Sequence, residues 1–341
     1  MNSEKILSSK SMVLNNPFQV HSVPFIVKLS KVGYYKFRKR WAKRFFKRPF
    51  RALFNFAYHT LKMSGEGEMT LTLPSGSKRF SFNGRNLQYS GVYAYGPEFV
   101  FEAPLVAVME KLLEKDEVFF DIGANWGCLS FYAAAFPNYT GAIHAFEPMP
   151  GTHTDLQNVV DQTGLSSRIT CHKVGLSDRT DSGTMILPDG IQSGWAKIVK
   201  GGKGIDVELS RLDDMDLPDP KFLKIDAEGH ELELLRGAEK TLQKSKPFIM
   251  FENWLTPHEL EEMIGPWCFL ESLGYTFFCP GWRRETPAGP EVSFDNMPPD
   301  GAEQCLIPVL KEHRFMGPTH WSFLAVHEEK INELTKKFDN N

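Results

Sequence analysis

Three acidic residues in this chain each close an apolar run, where an acid can meet a ligand. Val118-Phe-Phe-Asp-Ile-Gly-Ala-Asn-Trp-Gly127 sets Asp121 before a tight glycine turn, Ala145-Phe-Glu-Pro148 ends at Glu147, and Phe222-Leu-Lys-Ile-Asp226 ends at Asp226. An α/β sheet builds a nucleoside pocket in this way, at the carboxyl ends of its strands. Glycines at 123 and 127 let the backbone approach a ligand, and Glu147 can accept both hydroxyls of a ribose through two charge-assisted bonds. Three acids on three strand ends suit a cationic or amine-bearing nucleoside better than a pyrophosphate.

The third run carries further candidates. Lys224 and Asp226 lie two apart and share a face of their strand. Glu228-Gly229-His230 turn into a helix starting near Glu231, where acids suit the N-terminus. Capping therefore competes with chemistry for Glu228 and His230. Glu252 closes a fifth apolar run, Pro247-Phe-Ile-Met-Phe-Glu252, and faces the same rim with its role open. A dinucleotide loop reads G-x-G-x-x-G, whereas this turn reads G-x-x-x-G, and the Gly-Lys-Ser/Thr of a P-loop is absent. No His/Asp/Glu set has metal-ligand spacing, so no metal is expected.

The elements that position these residues alternate. Apolar runs predict strands near 117–121, 142–146, 169–174, 222–226, 247–252, 274–279 and 321–326. Helical patterns fall near 103–114, 126–136, 151–162, 231–243 and 257–273. Such alternation makes a largely parallel sheet covered on both faces. Before it, Met69-Thr-Leu-Thr-Leu73 and Lys78-Arg-Phe-Ser-Phe82 alternate around Pro74-Ser-Gly-Ser, a β-hairpin signal. The Pro- and Gly-rich stretch 280–308 reads as a surface excursion. It and Tyr89–Tyr95 are the expected walls that set acceptor specificity.

The 341 residues are 42% hydrophobic and 24% charged with net charge −3, an ordinary globular composition that excludes polyanion binding by bulk charge. The five cysteines form no CxxC pair, so a reducing, cytoplasmic setting is expected without zinc or a disulfide framework. No apolar run approaches twenty residues, and the start lacks the layout of a signal peptide. Charge is nevertheless uneven. No Asp or Glu occurs between Glu4 and Glu66, and Tyr34, Phe37, Trp41 and Phe45 fall at helical spacing among lysines and arginines. This predicts a basic amphipathic helix, stopped near Pro49. Residues 28–58 either pack on the main domain or meet anionic lipid or glycan at a membrane surface. Nucleic acid is the less favoured partner.

Taken together, Asp121-Ile-Gly-Ala-Asn-Trp-Gly127, Phe146-Glu-Pro148, Gly175-Leu-Ser-Asp178 and Leu223-Lys-Ile-Asp-Ala-Glu-Gly-His-Glu231, with Leu235-Arg-Gly-Ala-Glu239 behind, resemble the FkbM family of S-adenosylmethionine-dependent methyltransferases. The resemblance covers roughly residues 95 to 280. It implies a Rossmann-like class I methyltransferase fold, with a mostly parallel seven-stranded sheet whose last hairpin is antiparallel. It implies S-adenosyl-L-methionine as the methyl donor. Asp121 would receive the methionine ammonium, Gly123, Ala124, Asn125 and Gly127 would form the turn, Glu147 and Pro148 would meet the ribose, and Gly175, Ser177 and Asp178 would pass near the adenine. Asp226 is the first choice of base, or holder of the cofactor's amino end, followed by Glu228 and His230. Asn296-Met-Pro-Pro299 lacks the aromatic of the base-methylating Asn-Pro-Pro-Tyr motif and does not follow the fourth strand.

The expected layout is a basic aromatic extension over 1–65, a methyltransferase domain over 66–327 with its core at 95–280, and a tail over 328–341. The expected reaction is O-methylation of a sugar hydroxyl in a glycan, glycolipid or related metabolite. A nucleic-acid methyltransferase gripping phosphates with the leader, and a nucleoside-binding protein without turnover, are the alternatives.

Overall fold

The computed structural model describes residues 6–9, 14–25, 27, 53, 56–61, 63, 65–93, 96, 98–187, 194, 196–199, 203–254, 260–316 and 320–339. The expected basic helix around Tyr34–Phe45 lies outside them.

In chain order the strands are β1 (Leu7–Ser9), β2 (Phe18–Ser22), β3 (Glu66–Leu73), β4 (Gly76–Asn83), β5 (Phe119–Ile122), β6 (Ile143–Phe146), β7 (Ile169–His172), β8 (Gly175–Leu176), β9 (Asp181–Ile186), β10 (Lys197–Val199), β11 (Ile205–Ser210), β12 (Phe222–Ile225), β13 (Phe248–Trp254), β14 (Tyr275–Thr286), β15 (Gly289–Ser293), β16 (Glu303–Val309) and β17 (His320–His327). The principal helices are α1 (Ala103–Leu112), α2 (Cys128–Ala135), α3 (Pro150–Thr163), α4 (Glu231–Gly237), α5 (Glu239–Ser245), α6 (Leu260–Ser272) and α7 (Ile331–Asp339).

The main sheet runs β1-β16-β14-β17-β13-β12-β5-β6-β7. Strands β7, β6, β5, β12 and β13 are parallel, and β17 lies antiparallel between β13 and β14. That is the Rossmann-like α/β fold expected from the sequence. The four-residue strands Phe119-Phe-Asp-Ile and Phe222-Leu-Lys-Ile are buried along their whole length, as parallel strands covered on both faces must be. Side chains alternate between faces, so each strand feeds two cores. Phe119, Phe222, Phe248 and Met250 join α1, α2, α3 and α7 on one face, whereas Phe120, Leu223, Ile249 and Phe251 join Leu234, Leu242 and Trp267 of α4, α5 and α6 on the other.

Residues 280–308 are not a surface excursion. β14 runs on to Thr286 and pairs with β16 and β15, extending the main sheet. Pro280 is tolerated because β17 pairs with β14 only over Tyr275–Phe278, and β15 only from Trp282 onward. Its missing N–H therefore falls between two partners on that side. The ends of the chain are also part of the fold. β1 pairs with β16, β2 with β3, and Leu334 and Phe338 of α7 are fully buried. A second sheet, β10-β9-β11-β8, was not foreseen, because strands such as Asp181-Ser-Gly-Thr-Met-Ile fully bury a single residue and show little apolar alternation.

Candidate functional site

One sheet face, at one end, gathers the chemistry. Asp121 shares strand parity with Phe119, and Lys224 with Phe222 and Asp226. In the ladder Lys224 lies directly opposite Asp121. Glu252 and Trp254 keep the parity of Phe248 and Met250 on β13, and Trp254 lies opposite His320 of β17. Asp121, Lys224, Asp226, Glu252, Trp254 and His320 line one cavity of about 410 Å³.

The glycine turn is the first wall. Gly123, Asn125 and Gly127 have φ of 75°, 53° and 89°. Gly123 and Ala124 both donate to the Phe146 carbonyl at 3.0 Å, which ties the turn to β6. Asn125 Oδ1 accepts from the Trp126 amide at 2.9 Å, a local bond that holds the left-handed residue. A Cβ on Gly123 would lie 1.8 Å from the Asp226 carbonyl oxygen, so only glycine lets β12's end close against the turn. Gly123→Ala is accordingly expected to cost at least about 2 kcal/mol, from a backbone clash added to φ strain. Calorimetric melting beside the wild type checks this, and an unchanged melting temperature would show that the turn relaxes freely.

Two of the acids are anchored and still have acceptor capacity. Asp121 is 1% exposed, and its Oδ2 accepts from the Ser130 amide at 3.1 Å and the Ser130 hydroxyl at 2.7 Å. Its Oδ1 is shielded from solvent and has no hydrogen-bond partner among the described residues. Burial raises the Asp121 pKa, with Lys224 opposing the rise. Glu147 Oε2 accepts from the Asn125 amide at 3.0 Å and Oε1 from the Met149 amide at 2.8 Å, leaving each oxygen a lone pair. Burial pushes this carboxyl up to about 7 against those two bonds.

Lys224 is the hub, 7% exposed, with Nζ donating to Asp226 Oδ2 at 3.2 Å. Burial alone would lower its pKa, but Asp226, Asp121, Glu102 and Glu252 more than offset that and hold it above the ordinary lysine value. Asp226 is correspondingly held below the usual carboxylate range: burial raises it, and Lys224 together with a hydrogen bond from Glu252 more than offsets the burial. Its Oδ1 is shielded from solvent. Burial and the Asp226 charge push Glu252 far above that range, and Glu228 up to about 8. Glu252 Oε1 meets His320 Nε2 in a short contact, and burial lowers His320, leaving the ring neutral near pH 7. Glu102, raised by burial to about 7, enters from the N-cap of α1 at φ 50°. Asn296 fixes that approach by accepting from the Ala103 amide at 2.9 Å and donating to the Val100 carbonyl at 2.7 Å. It lies in the wall as a brace.

Asp226, Glu228 and Glu252 each bring one carboxylate oxygen within 4.8 Å of the others, a cluster with cation-binding geometry that the sequence did not suggest. Lys224 already supplies a cation at Asp226.

The expected site residues divide. Asp121, Gly123, Ala124, Asn125, Glu147, Pro148, Gly175, Asp226 and Glu228 line the cavity. Gly127 lies behind it as the N-cap of α2. Ser177, Asp178 and His230 are absent from the lining. The Ser177 hydroxyl sits 2.9 Å from His230 Nε2 and 3.2 Å from Asp178 Oδ1, and His230 precedes α4 as its N-cap. Glu231 closes the turn by accepting from the Ala227 and Gly229 amides. The sequence reading missed Glu102, Trp254 and His320, left Lys224 without a role, and could not decide Glu252. Parity with Asp226 was the available signal for Lys224. Met185, Ala196 and Ile198, from the second sheet and its edge, also line the cavity.

Among the described residues no helix is long and apolar enough to cross a membrane. Residues 121–277 match the sequence model of the methyltransferase FkbM domain. The hexuronic acid methyltransferase AglP of Haloferax volcanii is 28% identical over 156 residues, 44% of this chain and 62% of that protein. This chain thus spans less than two thirds of its relative's length. A solved methyltransferase FkbM from Methylobacillus flagellatus aligns over 82% of this chain and 76% of its own, at 16% identity and a TM-score of 0.38. A precorrin-6Y C5,15-methyltransferase from Geobacter metallireducens aligns over 65% and 98%, at 19% identity and a TM-score of 0.35.

Proposed function

We propose, from the match of residues 121–277 to the methyltransferase FkbM domain, that this chain transfers a methyl group from S-adenosyl-L-methionine to a hydroxyl oxygen of a sugar. The observation that carries the reading is the row of Asp121, Lys224 and Asp226 on one face of adjacent parallel strands, beside the glycine turn. The residues fit such a donor. Asp121 keeps a buried, unpartnered Oδ1 for an ammonium, and Glu147 keeps a lone pair on each oxygen for the ribose hydroxyls. Val174, Gly175 and Leu176, with Met185 and Ile198, supply an apolar flank for the adenine.

The donor supplies a sulfonium-bound methyl: the acceptor oxygen's electron pair forms the new C–O bond, the C–S electrons return to sulfur, and the acceptor's proton is left to the protein. Asp226 takes that proton. It is the ionised carboxylate of the cluster, held so by Lys224, while Glu252 keeps its proton. Positioning supplies a further share of the rate. The sugar acceptor draws support from the name of the Haloferax relative.

Calorimetric titration with S-adenosylmethionine and S-adenosylhomocysteine tests the pocket. Glu147→Ala is expected to weaken both by about 100-fold, the worth of two charge-assisted hydrogen bonds. Failure of the wild type to bind either nucleoside would sink the reading.

A further inference from the structure

Trp254 is the exposed aromatic of the cavity. The residue is 40% exposed, whereas Trp126, Trp267 and Trp282 are buried. It lines the cavity that contains Asp226, on the same sheet face, and stacks at a tilt on His320 with ring centroids 4.4 Å apart. The strand end beneath it is fixed. Asn253 is held by the buried Arg314, whose Nε donates to its Oδ1 and whose second nitrogen donates to its carbonyl, both at 2.7 Å. Asn253 in turn donates to the Met263 carbonyl at 2.9 Å. A large apolar ring on a braced strand end, beside a proton-accepting carboxylate, presents a flat platform with polar groups at its edge.

We propose that Trp254, with His320 and Glu252 beside it, is the acceptor subsite, and that it takes an uncharged pyranose in preference to a uronate. This rests on the sugar-methylation reading above. A pyranose has one face of C–H groups and a rim of hydroxyls. The face packs against the indole, and the rim needs donors and acceptors. The His320–Glu252 pair offers both, within the row that leads to Asp226.

Charge decides the sugar class. Glu102, Asp121, Glu147, Asp226, Glu228 and Glu252 all line the cavity, and among the described residues its lining includes a single Lys or Arg, Lys224. That cation is already engaged with Asp226. A uronate would bring another carboxylate toward the ionised Asp226, and among the described residues of the lining the one Lys or Arg is already engaged there. An uncharged sugar of the same shape meets no such penalty, so the ionised Asp226 selects by repulsion, while Glu228 and Glu252, which hold protons, offer hydrogen bonds to hydroxyls.

Labelled methyl transfer from S-adenosylmethionine tests this, using pairs of methyl pyranosides that differ only at C6, hydroxymethyl against carboxylate. The wild type is expected to show at least about tenfold higher kcat/KM for the uncharged member. Trp254→Ala should raise KM for that member by about tenfold, with kcat and S-adenosylmethionine affinity within about threefold, and Trp254→Phe should recover most of the loss. Preference for the uronide, or an unchanged KM in Trp254→Ala, overturns the subsite while the wild type remains an active sugar methyltransferase. A wild type that methylates no pyranoside overturns the sugar reading, and the subsite with it.

Discussion

Asp226→Asn is expected to lower kcat by about 10³ while S-adenosylmethionine affinity stays within about fivefold. The substitution keeps the shape of the side chain and can still accept from Lys224 Nζ, now 3.2 Å from Oδ2. What it removes is the ionised carboxylate. An alcohol attacks poorly until its proton has somewhere to go, and in this cluster the alternatives are already occupied: Glu252 holds a proton, and Glu228, raised to about 8, holds one at neutral pH. His320 is neutral but engaged with Glu252. Single-turnover transfer measured beside calorimetric binding separates two roles for Asp226. Loss of affinity with kcat largely kept would place Asp226 at the cofactor's amino end and transfer the role of base to another member of the cluster.

Part of the site is legible in the chain itself. Asp121, the glycine turn and Glu147 are legible because strand, turn and acid are consecutive, so a few residues determine both geometry and chemistry. The fourth strand is legible for the same reason, down to the shared face of Lys224 and Asp226. The acceptor side is not. Glu252, Trp254 and His320 meet through the antiparallel register of β13 and β17, which joins segments 68 residues apart. No local pattern encodes that register. Residues 280–308 were misread because proline and glycine usually interrupt strands. Here Pro280 and Gly281 fall where β14 changes partner from β17 to β15. His230 is a different case. Its position after Glu228 suggested chemistry, but the helix start places it as the N-cap, with its ring beside Ser177. Glu102 had no signal at all, since its approach depends on a left-handed N-cap braced by Asn296 from far along the chain.

Lys224→Met should destabilise the protein strongly, and more so as pH rises. The lysine is 7% exposed and faces Asp226, Asp121, Glu102 and Glu252, so removing it strands buried carboxylates rather than breaking one surface pair. Such a loss costs about 3–5 kcal/mol. The pH dependence follows from the two folded states. In the wild type Lys224 helps hold Asp226 below its unfolded value, which contributes stability above that unfolded pKa and loses it as pH falls through the folded one. In the variant, burial without the cation raises the folded pKa of Asp226 above its unfolded value of about 4. The variant is therefore least impaired in acid, where its carboxyls are protonated, and loses stability as pH climbs through their folded values. Glu102 and Glu147, already raised to about 7 with Lys224 present, shift further up and add to the slope between pH 5 and 8. Melting of both proteins at pH 5 and pH 8 should show a gap that widens by several degrees at the higher pH. An equal gap at both would assign the loss to packing of the lysine stem and would remove Lys224 from its place as the cation that organises the acids.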